Sequence, residues 1–208
     1  MNVDKPPILS SEPEGRGASD WVRDLIADRQ TVTPKRLLAP GPTPPQLEAL
    51  LKAAAAAPDH GRIRPWRFVL VPTLARAKLG RAFRDALLER DPTATQEQQA
   101  DALEKAQRAP CLLLAVVDLS ARDQPIPAFE RVVSLGCAIQ NMLLLARAMG
   151  FDSGLSSGQA LDSSALRSAF SLGQEERAVC FVTFGTATTR RAIGARPNAS
   201  QLCSELAA

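Results

Sequence analysis

An α+β fold, a mixed central β-sheet flanked by helices on both faces, is predicted by three observations. The run from Cys111 to Val117 is apolar without interruption and reads as a strand buried on both faces, so it needs a packed layer above and below. A helical stretch over 127–149 is apolar almost all round in its second half, through Leu135, Ala138, Ile139, Met142 and Leu143, and so spans a core or a subunit interface. Around these two, helix-type and strand-type segments alternate along 208 residues, enough chain for one domain with a real core.

The first 18 residues carry acids and prolines where a secretory signal needs an apolar centre, and they read as a flexible lead to a single domain over 19–208. A short helix follows over 21–29, then a Pro/Gly-rich connector over 31–42. Thr43 and Gln46 spell a capping box with Pro44 at the first helical position, opening a helix to about residue 57. Pro58 ends the alanine run, and Arg67 to Val71 reads as a strand, so 59–66 is a helix-to-strand loop. Helical stretches over 73–90 and 95–108 precede the buried strand. After the long helix, stopped by Gly150, comes a short segment over 151–157, a helix capped by Asp162 running to about 170, and a last strand over 178–185. From residue 186 onward the chain is polar and basic.

Composition narrows the function. A net charge of +3, with acids and bases interleaved, supplies no polyanion-binding stripe, which argues against nucleic acid as a partner. Cys111, Cys137, Cys180 and Cys203 lie far apart with no C-x-x-C pair, and His60 is the single histidine, so no metal site is proposed and the cysteines read as reduced residues of a cytoplasmic protein. The longest greasy run, 142–149, falls well short of the roughly 20 residues a bilayer demands.

Four segments stand out as binding elements. Arg29 with Thr31 sets a guanidinium and a hydroxyl at a helix end, a pairing suited to a phosphate; the alternative is an arginine answering the helix dipole. The loop from Pro58 gathers His60, Arg62 and Arg64 ahead of Pro65 and Trp66; a solvated loop is the alternative, and Trp66 reads as a packing anchor. Gly154, Ser156 and Gly158 spell G-x-S-x-G, but His60 lies upstream of Ser156 and no strong buried strand leads into Gly154, so a hydrolase elbow is rejected. Two glycines and two hydroxyls instead let main-chain N–H groups approach a flat ligand. Arg190 and Arg191 are the fourth.

The order of these features resembles the nitroreductase family of FMN-dependent oxidoreductases, in its short, minimal type with an Ala-Pro-Asp-His loop. The resemblance rests on Arg29-x-Thr31 after a first helix, Ala57-Pro58 leading to Pro65-Trp66-x-Phe68, and Ala109-Pro110 before a buried strand. Gln140-Asn141-Met142 in the long helix, Met149-Gly150-Phe151 at its end and Phe184-Gly185-Thr186 in the last strand complete it, over about 20–191. It implies a nitroreductase-like, intertwined homodimer with FMN at the subunit interface. Arg29 and Thr31 would hold the phosphate and ribityl chain, with Gln30 between them near the ring and Pro58, His60 and Arg62 supplied by the partner. Leu155, Ser156, Ser157 and Gly158 would face the flavin ring, and Arg190 and Arg191 would offer a second phosphate-binding cation. Two departures accompany it: Gln30 stands where arginine is frequent, and Asp59-His60-Gly61-Arg62 replaces a commoner Ser-Ser-x-Asn. The implied activity is hydride transfer from NADH or NADPH through flavin N5 to a nitroaromatic, quinone or similar small acceptor by a ping-pong mechanism, with no catalytic side chain; the alternative is an FMN- or nicotinamide-binding carrier or sensor without turnover.

Overall fold

The computed structural model describes residues 17–120, 125–190, 192 and 194–206. Most of the predicted lead lies outside them. The helices are α1 (Ala18–Asp28), α2 (Pro44–Ala55), α3 (Arg76–Arg90), α4 (Gln96–Lys105), α5 (Ala128–Ala148) and α6 (Ser164–Ala169), and the strands are β1 (Leu37–Leu38), β2 (Trp66–Leu70), β3 (Cys111–Asp118), β4 (Asp152–Ser156) and β5 (Glu176–Ala187).

Capping boxes set two helix starts, the first as the sequence predicts and the second, Thr95 with Gln98, seen only in the structure. Gln46 Oε1 accepts from Thr43 N at 2.9 Å before α2, and Gln98 Oε1 accepts from Thr95 N at 2.8 Å before α4. Each satisfies one of the amides that a helix start leaves without a partner. The cap of α6 is Ser163, whose hydroxyl accepts from Leu166 N at 3.1 Å, and not Asp162 one residue earlier, which ends a 3-10 turn. The helix expected over 95–108 stops at Lys105, because the buried Arg76 gathers the following main chain. Its Nη1 donates to Ala106 O at 2.8 Å and Arg108 O at 3.1 Å, while Nη2 reaches Ala109 O at 3.3 Å.

β5 organises the sheet. It pairs antiparallel with β3 from Cys111↔Phe184 to Asp118↔Glu176, with β4 from Asp152↔Gly185 to Ser156↔Phe181, and at its end with β1. β2 pairs with the other edge of β3. One parallel bridge, Thr31 to Ser153, extends the sheet past β4 and makes it mixed. Segment 151–157, to which the sequence assigned no element, therefore holds a strand, β4, paired with β5 on one side and bridged by Thr31 on the other. Its Gly-Leu-Ser-Ser composition lacks strand-type side chains, and its place is fixed by partners distant in sequence.

β3 shows why both faces are covered. Leu113, Ala115 and Val117 point into a core with Leu50 of α2 and Leu135, Ala138 and Met142 of α5. Leu112, Leu114 and Val116 point the other way, into a core with Leu79 of α3 and Leu166 of α6. Alternation on a strand sends neighbours to opposite faces, and here both faces are dry. By length and composition α5 alone among the described helices matches a membrane span, yet Ala138, Met142 and Ala146 are fully buried against the sheet side.

Candidate functional site

The site begins where α1 ends. Arg29 leaves the helix with an extended backbone, and the chain runs on beside β4, where Val32 N donates to Ser153 O at 2.9 Å. Gly154 makes this approach possible: a Cβ there would stand 2.1 Å from Val32 O, so no other residue fits the crossing. Thr31 and Ser156 are thus brought to one edge of one sheet. The Arg29 guanidinium and the Thr31 hydroxyl have no hydrogen-bond or ion-pair partner among the described residues.

A second arginine braces that corner. Arg190 donates through Nη2 to Asp28 O at 2.7 Å and through Nη1 to Asp28 Oδ1 at 3.1 Å, and its Nε stands 3.1 Å from Asp152 Oδ1. Arg147, in the last turn of α5, donates to the other Asp28 oxygen. Hydrogen bonding by Arg147, joined by that of Arg190, holds the Asp28 carboxyl below the usual carboxylate range. Two arginines and two aspartates thereby fix the α1 terminus to the start of β4. All three nitrogens of Arg190 are occupied by these aspartates. Arg191, its predicted companion, lies outside the described residues.

The loop after α2 is held at the opposite end of α5. His60 Nδ1 meets Glu130 Oε2 at 2.7 Å, and Asp59 Oδ2 accepts from Arg64 N at 2.7 Å. Arg62 and Arg64 sit at φ 55° and 45°, a left-handed conformation that costs a side-chain-bearing residue about 1–3 kcal/mol and concentrates at binding sites. Pro58, His60 and Arg62 are exposed. Trp66 is the packing anchor expected, with Nε1 donating to Ser134 Oγ at 3.0 Å and its ring 5.7 Å from that of Phe68.

One helix therefore separates the predicted binding elements. Glu130 ties down the His60 loop in the first turn of α5, and Arg147 ties down the Arg29 corner in its last, seventeen residues and about 25 Å farther along the axis. Between them runs an unpacked stripe. Phe129 and Val133 are 70% and 56% exposed, Gln140 continues the row, and a Cβ on Gly136 would meet nothing within 4 Å. These positions recur at three- and four-residue steps on one face.

Beyond β4, Ser156, Ser157 and Gly158 border a cavity of about 340 Å³ that runs between α3, α4 and the sheet. Gly158 is exposed, and a side chain there would meet open space. His60 bonds Glu130 and not the serines, whereas the expectation that no buried strand leads into Gly154 is overturned, since Asp152 and Ser153 open β4 buried.

A model described as the nitroreductase family matches residues 26–186. The chain belongs to the nitroreductase family. It is 34% identical over 152 residues to a Haemophilus influenzae protein named "Putative NAD(P)H nitroreductase", covering 73% of this chain and 82% of that one. A crystal structure of a nitroreductase-like family protein from Bacillus cereus superposes with a TM-score of 0.75 at 20% identity, over 89% of this chain and 95% of the other. A mutant of the FMN and NADPH-dependent nitroreductase NfnB, from sphigopyxis sp. strain HMH, superposes at 0.70 with 15% identity, over 89% and 99%. At these identities the two structures establish the nitroreductase fold.

Within this nitroreductase-family chain, Thr31, which follows Arg29 and Gln30, is bridged to β4, and β4 carries Leu155 and Ser156 and leads into Ser157 and Gly158, while Arg190 is bonded to Asp28 beside Arg29. Pro58, His60 and Arg62 do not join them in the same protomer. Three arginines were missed by sequence reasoning: Arg76, which ties residues 106–110 to α3, Arg108, which reaches the cavity, and Arg147, which braces Asp28. The main-chain oxygens gathered by Arg76 from residue 106 onward and the carboxylate held by Arg147 lie tens of residues away, beyond any local pattern.

Proposed function

We propose that this chain is an FMN-dependent oxidoreductase that takes hydride from NADH or NADPH and passes two electrons to a nitroaromatic, quinone or similar acceptor by a ping-pong mechanism. It works as a homodimer with FMN at the subunit interface. The observation that carries the reading is the position of the two cationic elements at opposite ends of α5. A two-fold copy packed antiparallel along the Phe129 and Val133 stripe would bring the His60 loop of one protomer to the Arg29 corner of the other. An apolar stripe of this kind is the surface such an association would cover.

The residues present fit FMN. The Arg29 guanidinium and Thr31 hydroxyl are unpartnered among the described residues and suit a phosphate and a polyol. Gln30 lies between them and the ring. Gly158 leaves room for a flat ligand to approach the main chain, with Leu155, Ser156 and Ser157 beside it. Pro58, His60 and Arg62 close the pocket from the second protomer, where Arg62 balances the negative charge of a reduced ring and His60 is held in place by Glu130. Arg190 holds the corner, and Arg191 is assigned to the phosphate by resemblance. Bound FMN supplies the redox chemistry, accepting two electrons with a proton as hydride and returning them to the acceptor. The protein's part is to bind, orient and exclude water, so no side-chain acid or base is required. Four free cysteines and no disulfide among them suit the cytoplasm.

Purified protein is expected to be yellow, to release one FMN per chain on heating, and to oxidise NADH or NADPH with parallel double-reciprocal lines when nitrofurazone or menadione is varied. A rate no higher than that of free FMN would overturn the enzymatic reading in favour of a carrier.

A further inference from the structure

The cavity beside Ser156, Ser157 and Gly158 has walls of two kinds. Phe83, Leu87, Leu112 and Phe181 make an apolar floor, with the Phe83 and Phe181 rings edge to face at 5.5 Å. Its outer side carries Arg90, Lys105 and Arg108, and no acidic residue among the described ones lines it. None of the three cations is in an ion pair among the described residues. Of the acids nearest in sequence, Glu89 accepts from Ser164 N, Ser164 Oγ and Ala165 N at the start of α6, Asp91 accepts from Thr93 N and Oγ1, and Glu104, beside Lys105, lines an adjoining surface pocket with Arg108 and lies outside the cavity lining.

Arg90 and Lys105 end α3 and α4, where a cation also answers the helix dipole. That explanation does not reach Arg108. It lies past the end of α4, in the segment whose carbonyls Arg76 gathers, and its buried Nε has no hydrogen-bond partner. A buried donor without an acceptor is expensive, and native proteins rarely leave one. Arg108 lines the cavity, where an anionic group would give its guanidinium an acceptor once the side chain turns toward it.

We propose that this cavity is the acceptor subsite of the flavin site proposed above, and that it selects substrates with an apolar or aromatic body bearing a carboxylate or phosphate. The volume suits a single-ring molecule, the floor takes its apolar face, and three uncompensated cations focus a positive potential where its anionic end would lie. The proposal rests on the oxidoreductase reading, but the cavity's charge preference can be read without turnover.

The test has two arms on the FMN-loaded protein. Benzoate and phenyl phosphate are titrated against benzamide by thermal shift, and kcat/KM is compared for 4-nitrobenzoate and 4-nitrobenzamide. The anions are expected to raise the melting temperature and benzamide to leave it unchanged; whichever of benzoate or phenyl phosphate gives the larger shift names the preferred anion. The nitrobenzoate-to-nitrobenzamide ratio is expected to exceed one and to fall about tenfold or more in Arg108→Gln. Arg90→Gln and Lys105→Gln, at exposed positions, lower it less and serve should Arg108→Gln fail to fold. Equal response to charged and neutral probes in both arms would overturn the proposal while leaving the oxidoreductase reading intact. Loss of FMN from Arg108→Gln with an unchanged ratio would also overturn it, because the cation would then be holding the cofactor. Absence of turnover with anion stabilisation that Arg108→Gln abolishes would sink the oxidoreductase reading and uphold the anion site.

Discussion

Arg190 holds Asp28 twice, through the carboxylate at 3.1 Å and through the main-chain oxygen at 2.7 Å. The second bond lands on the residue that precedes Arg29, so an arginine just past the last strand sets the direction in which the proposed phosphate ligand leaves its helix. Arg190→Gln is expected to weaken FMN retention through that corner. Asp28→Asn should do the same, and the double variant should lose less than the sum of the two, with a coupling of about 1 kcal/mol from FMN titrations. Strict additivity would mean that Arg190 acts on the phosphate independently of Asp28.

Gly154→Ala places a methyl group against Val32 O, which stands 2.1 Å from the ideal Cβ position. The 31–32 segment must then move off β4, or β4 must shift in the sheet. Urea unfolding is expected to show a loss of about 1–3 kcal/mol, accompanied by weaker FMN binding. Gly158→Ala, with open space at its Cβ, should leave stability within about 0.5 kcal/mol of the parent.

Burial pushes the Cys111 and Cys180 thiols from 9.0 up to about 11. In the unfolded chain both ionise first, so their contribution to stability is complete below about pH 9 and is lost as the pH climbs toward 11. At the acid end the sign reverses. Hydrogen bonds from Arg147 to Asp28 and from Arg67 to Glu176 hold those carboxyls low, so their stabilisation is present above the ordinary carboxylate range and disappears as the pH drops through the folded values. Melting temperature against pH should fall on both flanks. At pH 8 a thiol reagent should modify the exposed Cys203 at once and Cys111 and Cys180 only after unfolding.

What the sequence disclosed follows from locality. Thr43 with Gln46, Pro58 after the alanines, and the apolar run from Cys111 each act within a few residues, and α2, the loop and β3 appear where these signals put them. β4 was illegible because Ser153 and Gly154 are strand residues only by virtue of Thr31, Val32 and β5. The partner of His60 was likewise invisible: Glu130 is seventy positions on, at the start of a helix whose amphipathic pattern gives no hint of the pairing. The binding segments were found by residue type and order. Their division between the two ends of α5 emerged only from the fold.

That division is tested most directly by mixed dimers. Arg29→Ala and Arg62→Ala chains, differently tagged and each expected to retain little FMN alone, are combined and the hetero-dimer is isolated. A site built from Arg29 of one protomer and Arg62 of the other gives one doubly altered pocket and one with both arginines native, so the hetero-dimer should bind half an FMN per chain at the parent affinity. If both arginines serve FMN within a single chain, each pocket keeps one defect, and a hetero-dimer as poor in FMN as its parents would contradict the shared site.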